Sequence, residues 1–365
     1  MGVSIGWPTR RPRWQSEPHR MNTFDLTTLP STDPIEIYRL RDGLYAVDLL
    51  GAALVHFDFF TWLAEHPSDK LTICRELQIV DRPTDVMLTL FAAMSLVEER
   101  AGVFHVTATA LDHLVKSSPR FLGPYYASLK DRPVLKDYIS VLQTGRTANW
   151  GSFKDTVDWA KAMEDETFAN NFTAAMDCRG VYLGAAMARH LDCTGRERLL
   201  DIAGGSGIYA CAIVAKHRHL RATVFEKPPV DAVARRAIEK RGFADRVSVT
   251  AGDMLASKLP EGFDLHLISN VLHDWDEPVA KQILTKSARA LKSGGMLVIH
   301  DAHINETKTG PLPVAKYSAL LMHSTEGKCY SLAEMRSYLG ELGFTDFRFQ
   351  ETAVDRSIIT VRKPS

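Results

Sequence analysis

Leu199-Leu200-Asp201-Ile202-Ala203-Gly204-Gly205-Ser206-Gly207 is the stretch on which the fold turns. Its apolar start reads as a buried strand, its small residues as a tight turn, and residues 208–216 behind it as a helix. Backbone N–H groups at such a turn and helix start face a ligand. Cofactors of many kinds use a glycine turn, so the turn alone does not choose among them. Asp201 narrows the choice. A carboxylate at the strand end repels a pyrophosphate and favours a cationic cofactor, such as S-adenosylmethionine (SAM) with its sulfonium and ammonium groups.

Outward from this stretch, the chain after Arg196 alternates short apolar runs with helical ones. Residues 199–203, 222–225, 247–251, 265–269 and 296–299 read as parallel strands, and residues 208–216, 230–240 and 278–291 as the helices between them. That is a doubly wound, Rossmann-like α/β sheet. Two last runs, 347–351 and 358–362, predict a closing antiparallel hairpin.

Ligands in such a sheet bind beyond the carboxyl ends of the strands, so strand-end residues are the candidates. Glu226 ends the second strand, where an acid can accept both hydroxyls of a ribose. After the third strand, Asp253 can receive an adenine amino group and Met254 offers the ring a polarizable surface. Ser269-Asn270-Val271-Leu272-His273-Asp274-Trp275 closes the fourth strand. An imidazole with an ordinary pKa of about 6.5 is neutral near pH 7, so His273 can take a proton from a hydroxyl, and Trp275 can close over an adenine.

The amino-terminal third reads differently. Residues 33–67 are helical, with Ile35, Tyr38, Leu40, Leu44, Val47, Leu50, Leu54 and Phe57 at three- and four-residue steps, Asp33 at the helix start and Pro34 in its first turn. The second half of that run is apolar nearly all round and predicts burial in a core or a subunit contact. Two helical runs, 71–77 and 84–96, precede a small hairpin around Gly102, which is the winged-helix pattern. DNA binding is disfavoured. Between Pro67 and Thr107, Lys70, Arg75, Arg82 and Arg100 face six acids, and the candidate reading helix Asp85-Val86-Met87-Leu88-Thr89-Leu90-Phe91 is apolar where a reader carries Arg, Asn or Gln. A winged helix reused for dimerisation is the better account. Residues 115–190 read as helical, broken at Pro133, Gly145 and Gly151.

Composition agrees with an ordinary soluble chain of more than one domain. The 365 residues carry 44 basic and 44 acidic side chains, so the whole chain has no electrostatic pull on nucleic acid or anionic membrane. No run of eighteen apolar residues occurs. Five scattered cysteines without a C-x-x-C pair suit a reducing cytoplasm rather than a disulfide framework. Residues 1–20 hold arginines, tryptophans and prolines with no apolar core behind them; they predict no secretory signal but an inessential stretch, either a disordered basic arm or the product of a start codon upstream of Met21.

Asp201 to Gly207, Gly252-Asp253-Met254, His273-Asp274-Trp275, Leu291-Lys292-Ser293-Gly294-Gly295 and Gly327-Lys328-Cys329-Tyr330-Ser331, in this order, resemble the SAM-dependent small-molecule O-methyltransferases with a winged-helix dimerisation domain, the acetylserotonin and caffeate-type enzymes. The resemblance runs from about Asp33 to the end. It implies a winged-helix dimerisation domain over 33–115, a helical linker with the substrate pocket over 116–190, and a SAM-binding domain over 191–365, and it leaves residues 1–32 as an expected disordered arm. It implies that the glycine turn (Gly204, Gly205, Gly207) holds the methionyl part of SAM, Glu226 the ribose, and Asp253 with Met254 the adenine. His273 is then the general base and Asp301 the acid that steadies it, while Met176, Met322 and His323 line the acceptor pocket. Three positions depart from the family's pattern: Ala203 for a first glycine, Ser269 where Lys is common, and Cys329 where many members carry a second acid beside the histidine.

The implied reaction is methyl transfer from SAM to a phenolic or enolic hydroxyl of a small molecule, by a cytoplasmic homodimer. Two other readings stay open. One is C- or N-methylation, including metal-assisted methylation of an α-keto acid through His273 and His323. The other is a non-catalytic SAM-binding or scaffold protein.

Overall fold

The computed structural model describes residues 25–148 and 165–365. Gly151, expected to break a helix, lies outside them. A two-stranded hairpin, β1 (Val97–Arg100) and β2 (Val103–Val106), pairs Val97 with Val106. The main sheet has seven strands: β3 (Arg198–Ile202), β4 (Arg221–Glu226), β5 (Val247–Ala251), β6 (Phe263–Ser269), β7 (Leu291–Asp301), β8 (Thr345–Glu351) and β9 (Ser357–Arg362). Their order is β5-β4-β3-β6-β7-β9-β8, with the first five parallel and β9 antiparallel to both its neighbours, β7 and β8. Winding therefore reverses between β3 and β6, and this reversal opens a crevice at their carboxyl ends. Central strands buried on both faces read as unbroken apolar runs, which is why Leu199, Leu200 and Ile202 of β3 and Leu265, Leu267 and Ile268 of β6 are all buried.

Two glycines set the depth of this crevice. On the long helix Glu166–His190, a β-carbon at Gly180 would lie 2.3 Å from Ile208 Cγ2 and one at Gly184 would lie 3.2 Å from Ala212 Cβ. Their absence lets that helix lie close on helix Ile208–Lys216, and its Met176 and Arg179 line the same cavity as the glycine turn.

The amino-terminal helical run is broken into Ile35–Asp42, Ala46–Gly51 with a π turn Ala52–His56, and Phe59–Glu65. Asp33 Oδ1 accepts the Ile35 N–H at 3.0 Å, while Pro34 occupies the cap itself. The all-round apolar half is a core element of its own chain: Leu49, Leu50, Ala53 and Leu54 are buried in one cluster with Phe59, Phe60, Phe91 and Leu135. Helix Asp81–Ala93 is buried from Pro83 to Phe91, so the helix that would read a base sequence has no free face.

Two ion pairs fasten helix Ile35–Asp42 across the sheet's edge. Arg39 donates to both carboxylate oxygens of Asp355 at 2.9 and 2.8 Å, and buried Arg356 donates to buried Asp42 at 2.9 Å. Of the arm expected over 1–32, the described part is packed. Residues 25–32 run along the sheet domain, with Leu26 buried beside Leu183 and Met187, and Arg189 donating to the Thr27 carbonyl at 3.0 Å. A buried leucine is what turns that segment from arm into packing.

Candidate active site

A cavity of about 500 Å³ occupies the crevice. Its walls come from the ends of β3, β4 and β6, the loop after β5, and helices Ile35–Asp42, Glu166–His190 and Leu312–Ser324.

The glycine turn forms its floor. Ala203 and Gly205 are left-handed, with φ of 54° and 56°, and Gly204 and Gly205 line the cavity. The Gly205 N–H donates to Glu226 Oε2 and the Lys227 N–H to Oε1, both at 2.9 Å. Burial pushes the Glu226 carboxyl up to about 7, against those two backbone donors. Asp253 is oriented in the same way, its Oδ1 accepting the Leu255 N–H at 2.6 Å. Glu226, Asp253, Met254 and Trp275 all line the cavity.

Opposite the turn, His273 sits on the single 3₁₀ turn Leu272–Asp274 and is almost fully buried. Its Nδ1–H donates to Asp301 Oδ1 at 2.5 Å, and the same oxygen accepts the Ala302 N–H at 2.8 Å. Nε2 is left 3.6 Å from Asp274 Oδ1. Burial works most strongly against the charged imidazole, but Asp301, Tyr317 and Asp274 together outweigh it and raise the His273 pKa, while that of Asp301 falls. The imidazole is therefore not at its ordinary pKa, as the sequence suggested; the paired carboxylate favours the imidazolium. Tyr317 meets the His273 ring edge-on at 5.7 Å, accepts a hydrogen bond from Arg179 Nη1 at 3.1 Å, and carries the Arg356 guanidinium 4.2 Å above its ring.

Several expected residues lie elsewhere. Asp201 is 0% exposed beneath the turn and is not a cavity wall; neither carboxylate oxygen has a partner among the described residues. Burial, with the charge of Glu226, pushes it up to about 8, so it presents no full negative charge to a cation. A β-carbon on Gly204 would lie 2.5 Å from that carboxylate, which makes Asp201 the support of the turn. Gly207 is also behind the cavity, where a β-carbon would stand 2.9 Å from Ile238 Cδ1.

Helix Leu312–Ser324 turns Tyr317, Leu320 and Leu321 to the cavity and buries Met322 in the amino-terminal core. His323 follows Met322 away: its Nε2 is 3.0 Å from Asp137 Oδ2, and Tyr45 and Tyr138 pack against its ring at 4.8 and 5.4 Å. The shared metal site of His273 and His323 is thereby overturned. Cys329 is buried near Asp301 outside the cavity wall, its thiol pushed up by burial and that charge.

Ser269 and Met176 line the cavity as expected. The Ser269 hydroxyl is 2.9 Å from His300 Nδ1 and accepts from Asn270 Nδ2 at 3.1 Å. Sequence reasoning missed Arg179, Tyr317, Tyr38 and Asn270, all cavity residues. Arg179 carried a usable signal, three positions after Met176 on one helix face. Tyr38 carried none, since its place depends on the ion pairs that hold its helix.

The model of the O-methyltransferase domain family matches residues 136–345. Over 316 residues the chain is 30% identical to the 3-hydroxy-5-methyl-1-naphthoate 3-O-methyltransferase of Streptomyces sahachiroi, spanning 86% of this chain and 90% of that protein. The chain belongs to the O-methyltransferase family. An O-methyltransferase family 2 protein from Planctomyces limnophilus, solved in complex with apigenin, is 32% identical and superposes with a TM-score of 0.83, covering 93% of this chain and 98% of that one. Human N-acetylserotonin methyltransferase, solved in complex with SAM, shares the fold at 24% identity and a TM-score of 0.58, covering 93% of this chain and 100% of that one.

This O-methyltransferase is a SAM-dependent enzyme acting on a small molecule. Its cavity fits that cofactor: a turn whose Gly204 has no room for a side chain, two carboxylates held by backbone donors, and a thioether and an indole beside them. Among the described residues, no single helix is long and apolar enough to cross a membrane.

Proposed function

We propose that this enzyme methylates an aromatic hydroxyl of a small molecule, with His273 as the base. The observation that carries the reading is the His273–Asp301 hydrogen bond in the cavity wall opposite the glycine turn. With Nδ1 committed to Asp301, the ring is fixed and Nε2 is the nitrogen left for an acceptor. A phenol has a pKa of about 10, and an imidazole whose pKa is raised toward that value is a well-matched base once neutral. A cation in the cavity disfavours the imidazolium, so cofactor loading moves His273 toward its neutral form.

Glu226 would hold the ribose, Asp253 and Met254 the adenine with Trp275 over it, and Gly204 and Gly205 the methionyl part beside Ser269. Asp201 and Gly207 would support the turn from behind. When bound, SAM supplies a methyl group already activated on a sulfonium. The protein's own work is to orient the acceptor, exclude water and take one proton at Nε2. Phe172, Met176, Leu320 and Leu321 give the remaining wall an apolar character suited to an aromatic ring. The naphthoate enzyme and the apigenin-bound structure support an aromatic acceptor.

His273→Ala should leave binding of S-adenosylhomocysteine (SAH) intact and cut turnover at least about 100-fold. Unchanged turnover would remove His273 from the mechanism. The acceptor itself is found by incubating the enzyme with labelled SAM and a metabolite extract. We place the enzyme in the cytoplasm, supported by five free cysteines. We also infer a homodimer through residues 33–115, supported by exposed Leu40, Leu44 and Leu71; sedimentation of a monomer at micromolar concentration would refute it.

A further inference from the structure

Three cationic side chains converge on Tyr317, and two already have acids. Arg356 donates to Asp42, and His273 to Asp301. Arg179 makes no ion pair among the described residues; its one hydrogen bond there is to the neutral Tyr317 hydroxyl, and its Nε is buried with no partner. A guanidinium cannot shed its proton, and a cation held away from water is costly unless an anion meets it. Among the described residues Arg179 feels the charges of Asp42 and Asp274 but pairs with neither, and as part of the cavity wall it is open to an anion arriving in the cavity.

We propose that Arg179 selects an acceptor carrying a carboxylate, so that the substrate is a hydroxyaryl acid. The inference rests on the O-methylation reading above. Arg179 touches Tyr317, and Tyr317 lies edge-on to His273. A carboxylate paired with Arg179 therefore sets an aromatic ring along Tyr317, with its hydroxyl toward the imidazole. Arginine suits this task, since its planar fork pairs both oxygens of a carboxylate and fixes the ring's direction as well as its place. The other carboxylate that could reach Arg179 is the one on the cofactor's methionyl end, and the test separates the two.

Calorimetry on the SAH-loaded enzyme compares 3-hydroxy-1-naphthoate, its methyl ester and 2-naphthol as probes. The acid should bind at least tenfold more tightly than either neutral probe. Arg179→Gln should erase that preference and leave SAH affinity within twofold, while Arg179→Lys should restore part of the preference. The proposal is overturned if the acid binds no better than the neutral probes, or if Arg179→Gln weakens SAH tenfold, which would give the arginine to the cofactor. Methyl transfer by the wild-type enzyme to 2-naphthol, read by mass spectrometry, tests O-methylation separately, so that the two readings fail on different results.

Discussion

A β-carbon on Gly327 would stand 2.2 Å from the carbonyl oxygen of His273 and 2.7 Å from the backbone nitrogen of Trp275. Both neighbours are backbone and cannot rotate aside. The loop is also pinned from its other side, where Arg82 donates to the Gly327 carbonyl at 2.8 Å, and Thr325 ties it to His273 through a 3.3 Å bond to the same carbonyl oxygen. Gly327→Ala must therefore displace the Leu272–Asp274 turn and carry the imidazole away from Asp301. A misplacement near 1 Å at a reacting group can cost about 100-fold in rate. Turnover of Gly327→Ala should fall by about that factor, with thermal unfolding recorded alongside; full turnover would mean that the loop yields instead.

Asp301 sets the direction of the pH dependence. Because its charge raises the His273 pKa above 6.5, the base is neutral only in the alkaline range, and turnover should climb with pH above neutrality. In Asp301→Asn the charge is gone and burial dominates, which lowers an imidazole's pKa. The inflection of kcat/KM against pH should move down by at least about one unit, and the plateau should drop as the ring loses its charged partner. The same linkage reaches stability: the pair's contribution is complete between the ordinary carboxylate and histidine pKa values, is lost as pH rises through the raised histidine pKa, and is lost as pH falls through the lowered one of Asp301. An unchanged inflection would detach Asp301 from His273.

The sheet was readable because its inner strands are buried on both faces, and so helices Ile208–Lys216 and Val230–Lys240 fall where the pattern put them. β7 was the exception. The expected strand covered only residues 296–299, yet Leu291–Asp301 is one strand with an irregular register near Phe263 and Leu265. Strand-end residues that line the cavity were legible because the crevice of such a sheet opens at its carboxyl edge. Helix-borne residues were not, because spacing says which side chains share a face but not which face meets the cavity. Met322 and His323 were misplaced, and Arg179 overlooked, for that one reason.

Asp201 tests whether the cofactor's charge is recognised at the turn. Its carboxyl is pushed up to about 8 by burial and by Glu226, so at pH 7 it is mostly a neutral acid. Asp201→Asn keeps both size and neutrality. The ratio of SAM to SAH affinity, measured by calorimetry at pH 7, should stay within about twofold of wild type, because a neutral group does not distinguish a sulfonium from a thioether. Stability gives a second readout. A raised carboxyl pKa means that the folded state holds the proton longer, so wild type loses stability as pH climbs from the ordinary 3.8 toward 8, a slope that the variant lacks. A selective loss of SAM binding would return Asp201 to an electrostatic role.

The two left-handed residues of the turn should respond in opposite ways. Ala203 has φ 54° and Gly205 has φ 56°. A side chain held in that region costs about 1–2 kcal/mol, whereas a glycine gives up about 0.4–1 kcal/mol through the freedom of its unfolded chain. Ala203→Gly should then stabilise the protein by up to about 1 kcal/mol, since the bond from its N–H to the Phe225 carbonyl at 2.9 Å does not need the methyl group. Gly205→Ala meets no atom within 4 Å of the added carbon, so it costs about 1–2 kcal/mol of backbone strain less the about 0.4–1 kcal/mol regained from a stiffer unfolded chain, a net loss of up to about 1 kcal/mol. Urea unfolding at fixed pH measures both. If the two substitutions shift stability in the same direction, packing of the Ala203 methyl and not backbone conformation governs the turn.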